Sequence, residues 1–474
     1  MNTPLPPQEI VERALSLSRA AHCDVIVDDT DTAWLRWAGD EVTANGASGT
    51  RRVTVISSGP GGGAAVSGTV DDPHRLEELV RASEAPTDAP AAGETAAAGS
   101  TAAPQPMRGD GAFESAELPE AAPARDRLSA LIPELVRARG RSHGALHGFA
   151  QHRTGTAWLG TTAGVRRRHR LGTSTLELYT RTPDGARTAW AGAVADGFHG
   201  MDLPGLEAAT TGRLRQPLPY RELPPGRYEV LLSPAAVADL MTAVYRAGGA
   251  ADATEGRTVF ARPGGGTRIG ETLAALPLNL RSDPREPGLE CRPFVLSHGA
   301  VSDAFGEAVQ AGADPADNGM PLSATYWMKD GALTSLLASR ADAARLGVPV
   351  RPAVGNLVLD GGTDRSLTEM IRSTRRALLI SCLWYIRPTD VGTLTLTGLT
   401  RDGVHLVEDG RVTAYVNDFR FAESPVSLLS RAVEAGRTER APARESGMHF
   451  PRTAMPPLRI PDFRFTARAP SAGS

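Results

Sequence analysis

The feature that most constrains this chain is a unit that occurs twice: an amphipathic helix followed by period-two strands punctuated by glycine. Pro7 to Ala21 sets Ile10, Ala14, Leu17 and Ala21 on one helical face, with proline near the first turn. Alternating segments follow at Asp24 to Val27, Ala33 to Trp37, Arg52 to Ile56 and Ala64 to Val70, with turns expected at Asn45-Gly46 and Gly59 to Gly63. A second helix is expected over Asp72 to Ala82. From Asp126, a candidate N-cap, Leu128, Leu131, Ile132, Leu135 and Val136 again keep helical spacing as far as Gly140. Gly144 to Arg153, Thr156 to Leu159, Gly164 to Arg170 and Ser174 to Arg181 then read as another meander.

Between the two units, Glu84 to Ala124 is rich in Ala, Pro, Gly and Thr and carries seven acids against the single base Arg108. Such a stretch buries too little apolar surface to offset its ordering entropy, and it reads as an acidic linker or insertion. From about Leu218 the chain gives a strand at Gly226 to Leu232, a helix at Pro234 to Tyr245, and then mostly strands. Leu378 to Ile386, Leu394 to Leu399, Gly403 to Glu408, Arg411 to Tyr415 and Asp418 to Phe421 form a ladder, with turns at Arg401-Asp402-Gly403 and Glu408-Asp409-Gly410. The expected class is α+β: two helix-plus-antiparallel-meander units, then a large, mostly antiparallel β-rich domain. The divisions are 1–83, a linker at 84–124, 125–217, 218–450, and a Pro/Arg-rich tail at 451–474. Regular βαβ alternation is missing, which argues against a Rossmann or TIM fold.

The chain has 474 residues, enough for about three domains. Hydrophobic residues at 41% and a net charge of -3 fit a globular protein with no global pull toward nucleic acid or membrane. Cys23, Cys291 and Cys382 form no C-x-x-C pair, so neither a disulfide scaffold nor a zinc ribbon is expected. The start of the chain does not resemble a signal peptide and no apolar run is long enough to span a bilayer, so a cytoplasmic location is expected.

Several chemistries are excluded by residue type. Lys329 is the sole lysine and follows Met328, so there is no P-loop; position 326 is Tyr, so there is no Ser-x-x-Lys nucleophile. Gly59-Pro60-Gly61-Gly62-Gly63-Ala64 has the letters of a dinucleotide fingerprint, but a strand rather than a helix follows it, so no helix N-terminus holds a pyrophosphate. His143, His147 and His152 lack the Glu of His-Glu-x-x-His, and glycines 144 and 148 disfavour a helix, so polar strand positions are the simpler reading. Ser297 and His298 are adjacent, and neighbours on a strand point to opposite faces. Cys382 sits in an apolar strand and reads as a buried structural thiol, with ligand or nucleophile as the rival role.

The order of several segments resembles the TldD/PmbA (TldE) family of two-subunit metalloproteases. They are Trp34-Leu35-Arg36-Trp37-Ala38-Gly39-Asp40-Glu41-Val42-Thr43-Ala44-Asn45-Gly46, the strand Arg51 to Ser57, Val230 to Ala238, and Asn318-Gly319-Met320-Pro321 leading to Lys329-Asp330-Gly331-Ala332-Leu333. Ser381-Cys382-Leu383-Trp384-Tyr385-Ile386-Arg387 and Leu406 to Val412 complete the set. In that family the TldD-type subunit carries His-Glu-x-x-x-His on a helix after the corresponding strand, with a later cysteine completing the zinc site. Here the stretch corresponding to it is read as Ser233-Pro234-Ala235-Ala236-Val237-Ala238, with degenerate positions Ser233, Pro234 and Ala238 and only Cys382 as a weak metal candidate.

The resemblance therefore implies a TldE/PmbA-type partner with no catalytic or metal-ligating residues of its own. Zinc is expected in a TldD-type catalytic subunit, the pair forming a heterodimer that acts on unfolded peptides or peptide precursors, with no nucleic acid or membrane partner. Peptides would be held by strand addition, with Leu378 to Ile386 and Val416 to Phe421 as walls and Trp384, Arg387 and Asn417 as binding candidates. The alternatives are a family member recruited as a stand-alone tailoring enzyme, using Cys382 or the histidines, and a peptide-binding module without chemistry.

Overall fold

The computed structural model describes residues 5–39, 41–59, 63–70, 72–85, 107–113, 122–141, 145–182, 187–299, 314–447 and 450–469. Most of the expected acidic linker, and His143, lie outside the described residues. The first part comprises α1 (Pro7–Leu17), β1 (His22–Ala38), β2 (Glu41–Ser58), β3 (Ala65–Gly68), α2 (Pro73–Glu84), α3 (Ala124–Ser129), α4 (Ile132–Arg141), β4 (Ala145–Thr161), β5 (Arg166–Arg181), β6 (Thr188–Ala195) and α5 (Leu203–Arg215). The two helix-plus-meander units are joined edge to edge through β1 and β4, giving one antiparallel sheet in the order β3-β2-β1-β4-β5-β6.

Period-two alternation assigns its two faces. Val25, Val27, Val53 and Val55 pack under Ile10, Val11 and Ala14 of α1 and Leu76, Leu79 and Val80 of α2. Farther along, Leu146, Ala150, Leu176 and Leu178 meet α3, α4 and α5. The opposite face offers Ile26, Ile56, Ala157 and Leu159, which receive Phe294 and Leu296 from the second half of the chain.

One expected turn is not a turn. Asn45-Gly46 lies inside β2, paired with Leu35 and Trp34, and the hairpin reverses after Ala38, where Gly39 has φ 61°. Gly46 serves packing instead: a Cβ there would stand 2.7 Å from Trp34 Nε1. Asp126 is likewise not the N-cap but sits in the first turn of α3, which starts after Pro123.

The second part comprises β7 (Tyr220–Arg221), β8 (Gly226–Leu232), α6 (Pro234–Arg246), α7 (Ala250–Thr254), β9 (Asn279–Ser282), β10 (Thr325–Lys329), β11 (Ala332–Leu333), α8 (Arg340–Leu346), β12 (Leu357–Asp360) and α9 (Leu367–Arg372). It continues with β13 (Arg376–Asp390), β14 (Thr395–Glu408), β15 (Arg411–Val416), β16 (Phe419–Glu423), α10 (Pro425–Arg431), β17 (Glu434–Ala435), β18 (Glu439–Arg440), β19 (Thr453–Met455) and β20 (Leu458–Arg468). One sheet runs β11-β10-β9-β12-β19-β18.

The other closes on itself. β8 pairs in parallel with β13 and antiparallel with β20; β20 pairs with β16; β16 and β15 lie end to end along β14; and β14 returns to β13. Phe419, Phe421, Phe463 and Phe465 stack within this ring at centroid distances of 4.6 to 5.8 Å. The segment read as a tail thus contributes a ring strand, β20. Its apolar residues switch phase between Ile460 and Phe463, where the register shifts and Asp462 takes φ 55°.

Arg401-Asp402-Gly403 is also not a turn. β14 runs through it with an extra residue opposite β13, and Asp402 and Gly403 have φ 49° and 123°. Asp409-Gly410 is the expected tight hairpin, both residues having positive φ. No helix among the described residues is long and apolar enough to cross a membrane.

Candidate functional site

Helix α6 begins where Ser233 caps it: its Oγ accepts from Ala236 N at 3.2 Å and donates to the Ser381 carbonyl at 2.5 Å. Pro234 follows in the first turn, and Ala238 is fully buried. Ser233, Pro234 and Ala238 therefore build and seat the helix. The residues that α6 and its C-cap place along open space come later, at helical spacing: Ala243, Arg246 and Ala247, with the buried Asp239 at their base.

These four form one wall of a cleft of about 660 Å³. Asp252, Arg257 and Thr258 form a second wall, and Ile386, Arg387 and Pro388 of β13 a third. Val391, Leu394 and Leu396 supply an apolar floor, and Glu445 and Ser446 cross the rim. Beside the cleft, Tyr385 and Ile386 stand together opposite Gly398, a β-bulge that holds Tyr385 at φ 57°. An aromatic residue takes that conformation at a cost of about 1–3 kcal/mol, and strain of this kind gathers at functional sites. Among the described residues, β13 beyond Ile380 is paired with β14 on one edge only.

The strap Arg444 to Ser446 is fixed by Asp239. Its fully buried carboxylate accepts from Arg444 N (3.0 Å), Glu445 N (3.1 Å) and Ser446 N (3.1 Å). Burial outweighs these three donors and pushes its pKa up to about 7. Glu445 then reaches the strained bulge, accepting from Tyr385 N at 3.0 Å and from Arg387 Nη1 at 2.8 Å.

Arg444 points the other way. It pairs with Asp402, donates to Cys382 Sγ at 2.9 Å, and sits 4.8 Å from the Trp384 ring centroid, 5.3 Å from Tyr179 and 5.4 Å from Trp190. Tyr179 and Trp190 belong to the N-terminal sheet, so one arginine fastens the sheet to the ring. A second fastening lies at His298, whose Nε2 is 2.7 Å from Asp28 Oδ2, with Asn318 Nδ2 donating to Asp24 Oδ2 at 2.8 Å.

The structure thus separates the sequence candidates. Arg387 lines the cleft. Trp384, one bulge earlier, faces Arg444. Asn417 lies elsewhere, its Oδ1 accepting from Leu223 N at 2.7 Å; Val416 ends β15, Phe419 to Phe421 belong to β16, and none of the residues 416–421 lines the cleft. Asp239, Arg246, Glu445 and Tyr385 were not singled out from sequence. Asp239 and Arg246, charged residues seven apart on one side of a largely apolar α6, were the available signal.

Cys382 is fully buried, its thiol pushed up to about 12 by desolvation and donating to the Arg401 carbonyl at 3.1 Å, so it is neither thiolate nor exposed. His147 and His152 are five residues apart on β4 and so face opposite sides of the sheet. His152 is bonded to Ser174 Oγ (2.7 Å) and Thr154 Oγ1 (2.9 Å), and burial lowers it to about 4.

No three His, Cys, Asp or Glu side chains among the described residues converge as a metal site. The cleft's donor set does not suit zinc on chemical grounds. Asp239 is saturated by backbone N–H groups, Asp252 and Glu445 are bound to arginines, and Arg246, Arg257 and Arg387 bring like charge to any cation.

Residues 225–467, just over half the chain, match the family described as PmbA/TldA metallopeptidase C-terminal domain. The chain belongs to the PmbA/TldD family. The match spans β8, α6, the cleft and nearly the whole ring.

Solved structures extend the likeness in fold to the full length. TldE from Thermococcus kodakarensis aligns with a TM-score of 0.74 at 14% identity, over 97% of this chain and 99% of that one. A candidate modulator of a DNA gyrase from Thermotoga maritima gives 0.73 at 14% identity, over 97% and 100%. A candidate modulator of DNA gyrase from Bacteroides thetaiotaomicron gives 0.68 at 13% identity, over 97% and 98%. No curated protein matches the chain.

Proposed function

We infer that this PmbA/TldD-family chain is the TldE-like, non-catalytic partner of a TldD-type zinc peptidase, and that its cleft holds unfolded peptide substrate. The observation that carries the reading is the cleft face of α6. This helix follows β8, where the resemblance places the peptidase motif, yet Pro234–Arg246 contains neither a histidine nor a glutamate, and its cleft side presents Asp239, Ala243 and Arg246 instead. The fold likeness to a TldE adds support from the whole chain. The open edge of β13 suits strand addition, in which backbone hydrogen bonds bind while reading little sequence. Zinc belongs, on this reading, to the partner subunit.

The test is to purify the chain alone and together with a TldD-type protein encoded beside it, then measure zinc per chain and hydrolysis of an unfolded peptide. An inert, metal-free chain that joins an active zinc-bearing complex is the expected result. Stoichiometric zinc or peptidase activity in the isolated chain sinks the reading.

A further inference from the structure

The cleft already contains a bound carboxylate, and it is the protein's own. Glu445 takes one hydrogen bond from a backbone N–H, that of Tyr385, and one from a guanidinium, that of Arg387. This is the donor set that recognises a carboxylate, charge-assisted on one oxygen and directional on the other. It is also the set an incoming peptide meets first, because Tyr385 N is a main-chain donor on the β13 edge that has no strand partner beyond Ile380 among the described residues.

A second observation is independent of Glu445. Arg246 lines the same cleft and makes no hydrogen bond or ion pair with any described residue; it feels only the field of Asp239, whose oxygens are occupied by the strap. Its neighbours differ. Arg257 is held by Asp252 and Glu255, and Arg387 by Glu445. An arginine kept without a partner in a concave site is a place for an anion from outside. The apolar floor of Val391, Leu394 and Leu396 calls for an apolar group beside that anion.

We propose that the cleft binds a peptide carboxylate next to an apolar side chain, with Arg246 as the anchoring cation and Glu445 as the internal carboxylate that the peptide displaces from Tyr385 and Arg387. A free C-terminus ending in a residue such as leucine meets both requirements in one group; an acidic side chain beside an apolar residue is the other source of the same chemistry. This rests on the reading that the chain holds peptides. Glu445 is then a plug: it satisfies the strained bulge while the cleft is empty of substrate and lowers affinity by competing.

The experiment uses the full chain and a short unstructured peptide ending in leucine, labelled at its N-terminus and followed by fluorescence anisotropy. The free acid is expected to bind about 10-fold more tightly than the C-terminal amide, the size of one charge-assisted hydrogen bond. Arg246→Gln removes that preference, Arg376→Gln at the far end of β13 retains it, and Glu445→Gln tightens the free acid by removing the competitor. Should acid and amide bind alike while an internal Glu→Gln change in the peptide weakens binding, the carboxylate comes from a side chain and the anchor stands. Equal binding of all three peptides overturns the carboxylate assignment and leaves peptide holding intact. Absence of binding by every peptide overturns both.

Discussion

The N-terminal sheet and the C-terminal ring are both largely antiparallel, yet they are assembled in different ways. In the sheet, every ladder except β1–β4 joins strands that are neighbours in sequence. The ring closes only when β8 near residue 230 meets β13 near 380 and β20 near 460. Local ladders form with little loop-closure cost, whereas the ring requires distant segments to meet before any of its apolar contacts are made. The cleft lies where those distant segments meet. Asp239 holds a strap 205 to 207 residues away. The sheet gives a broad, pre-paired surface, and the ring gives the precise, strained geometry.

The hardest way to break this arrangement is at the arginine that couples the two regions. Arg444→Ala leaves Asp402, a mostly buried carboxylate, without its cation and opens the cage of Tyr179, Trp190 and Trp384. Losing one partner of a buried pair costs about 3–5 kcal/mol. Urea denaturation is expected to show that loss and to split into two transitions as sheet and ring come apart. A single transition with a loss below about 1 kcal/mol means that the other contacts, His298–Asp28 and the packing of Phe294 and Leu296 among them, fuse the regions without Arg444.

The two regions are expected to respond oppositely to pH. In the sheet, His152 is lowered to about 4 by burial, so its contribution to stability is complete above about 6.5 and is lost as pH falls toward 4. In the ring, Asp239 is raised to about 7, so its contribution is complete below about 4 and is lost as pH rises toward 7. Each effect is of the order of 3 kcal/mol across its window. Stability curves of His152→Gln and Asp239→Asn between pH 4 and 7, each subtracted from the parent, are expected to slope in opposite directions. Parallel slopes remove the contrast.

Much of the sheet was legible because its determinants are local: period-two apolar residues, helical spacing through Leu76, Leu79 and Val80 in α2, and a polar residue pattern that assigns each strand a buried face. In the ring, the Asp409-Gly410 hairpin and the Ser233-Pro234 helix start were legible for the same reason. Gly46 misleads because glycine marks a turn or a close approach equally well, and only Trp34 across the ladder decides between them. Arg401-Asp402-Gly403 misleads similarly, since positive φ serves a bulge as readily as a turn. The cleft was illegible because Glu445 meets Tyr385 and Arg387 across 60 and 58 residues, and no spacing rule reaches that far.

Asn417 and Arg387 sharpen the comparison at smaller cost, since both carry polar side chains on neighbouring ring segments but only Arg387 lines the cleft. Asn417→Ala removes the acceptor of the Leu223 N–H and is expected to cost about 1 kcal/mol without changing peptide affinity.

Arg387→Gln has the smallest expected effect on stability. Arg387 is 56% exposed, and a surface pair of this kind with Glu445 is worth less than about 1 kcal/mol. The same substitution removes one of the two donors that Glu445 now occupies, so the free-acid peptide is expected to bind about 3- to 10-fold more weakly. Thermal unfolding and anisotropy on the same preparation separate the two effects. If affinity changes no more than in Asn417→Ala, the arginine holds the strap alone and the binding donors lie elsewhere in the cleft.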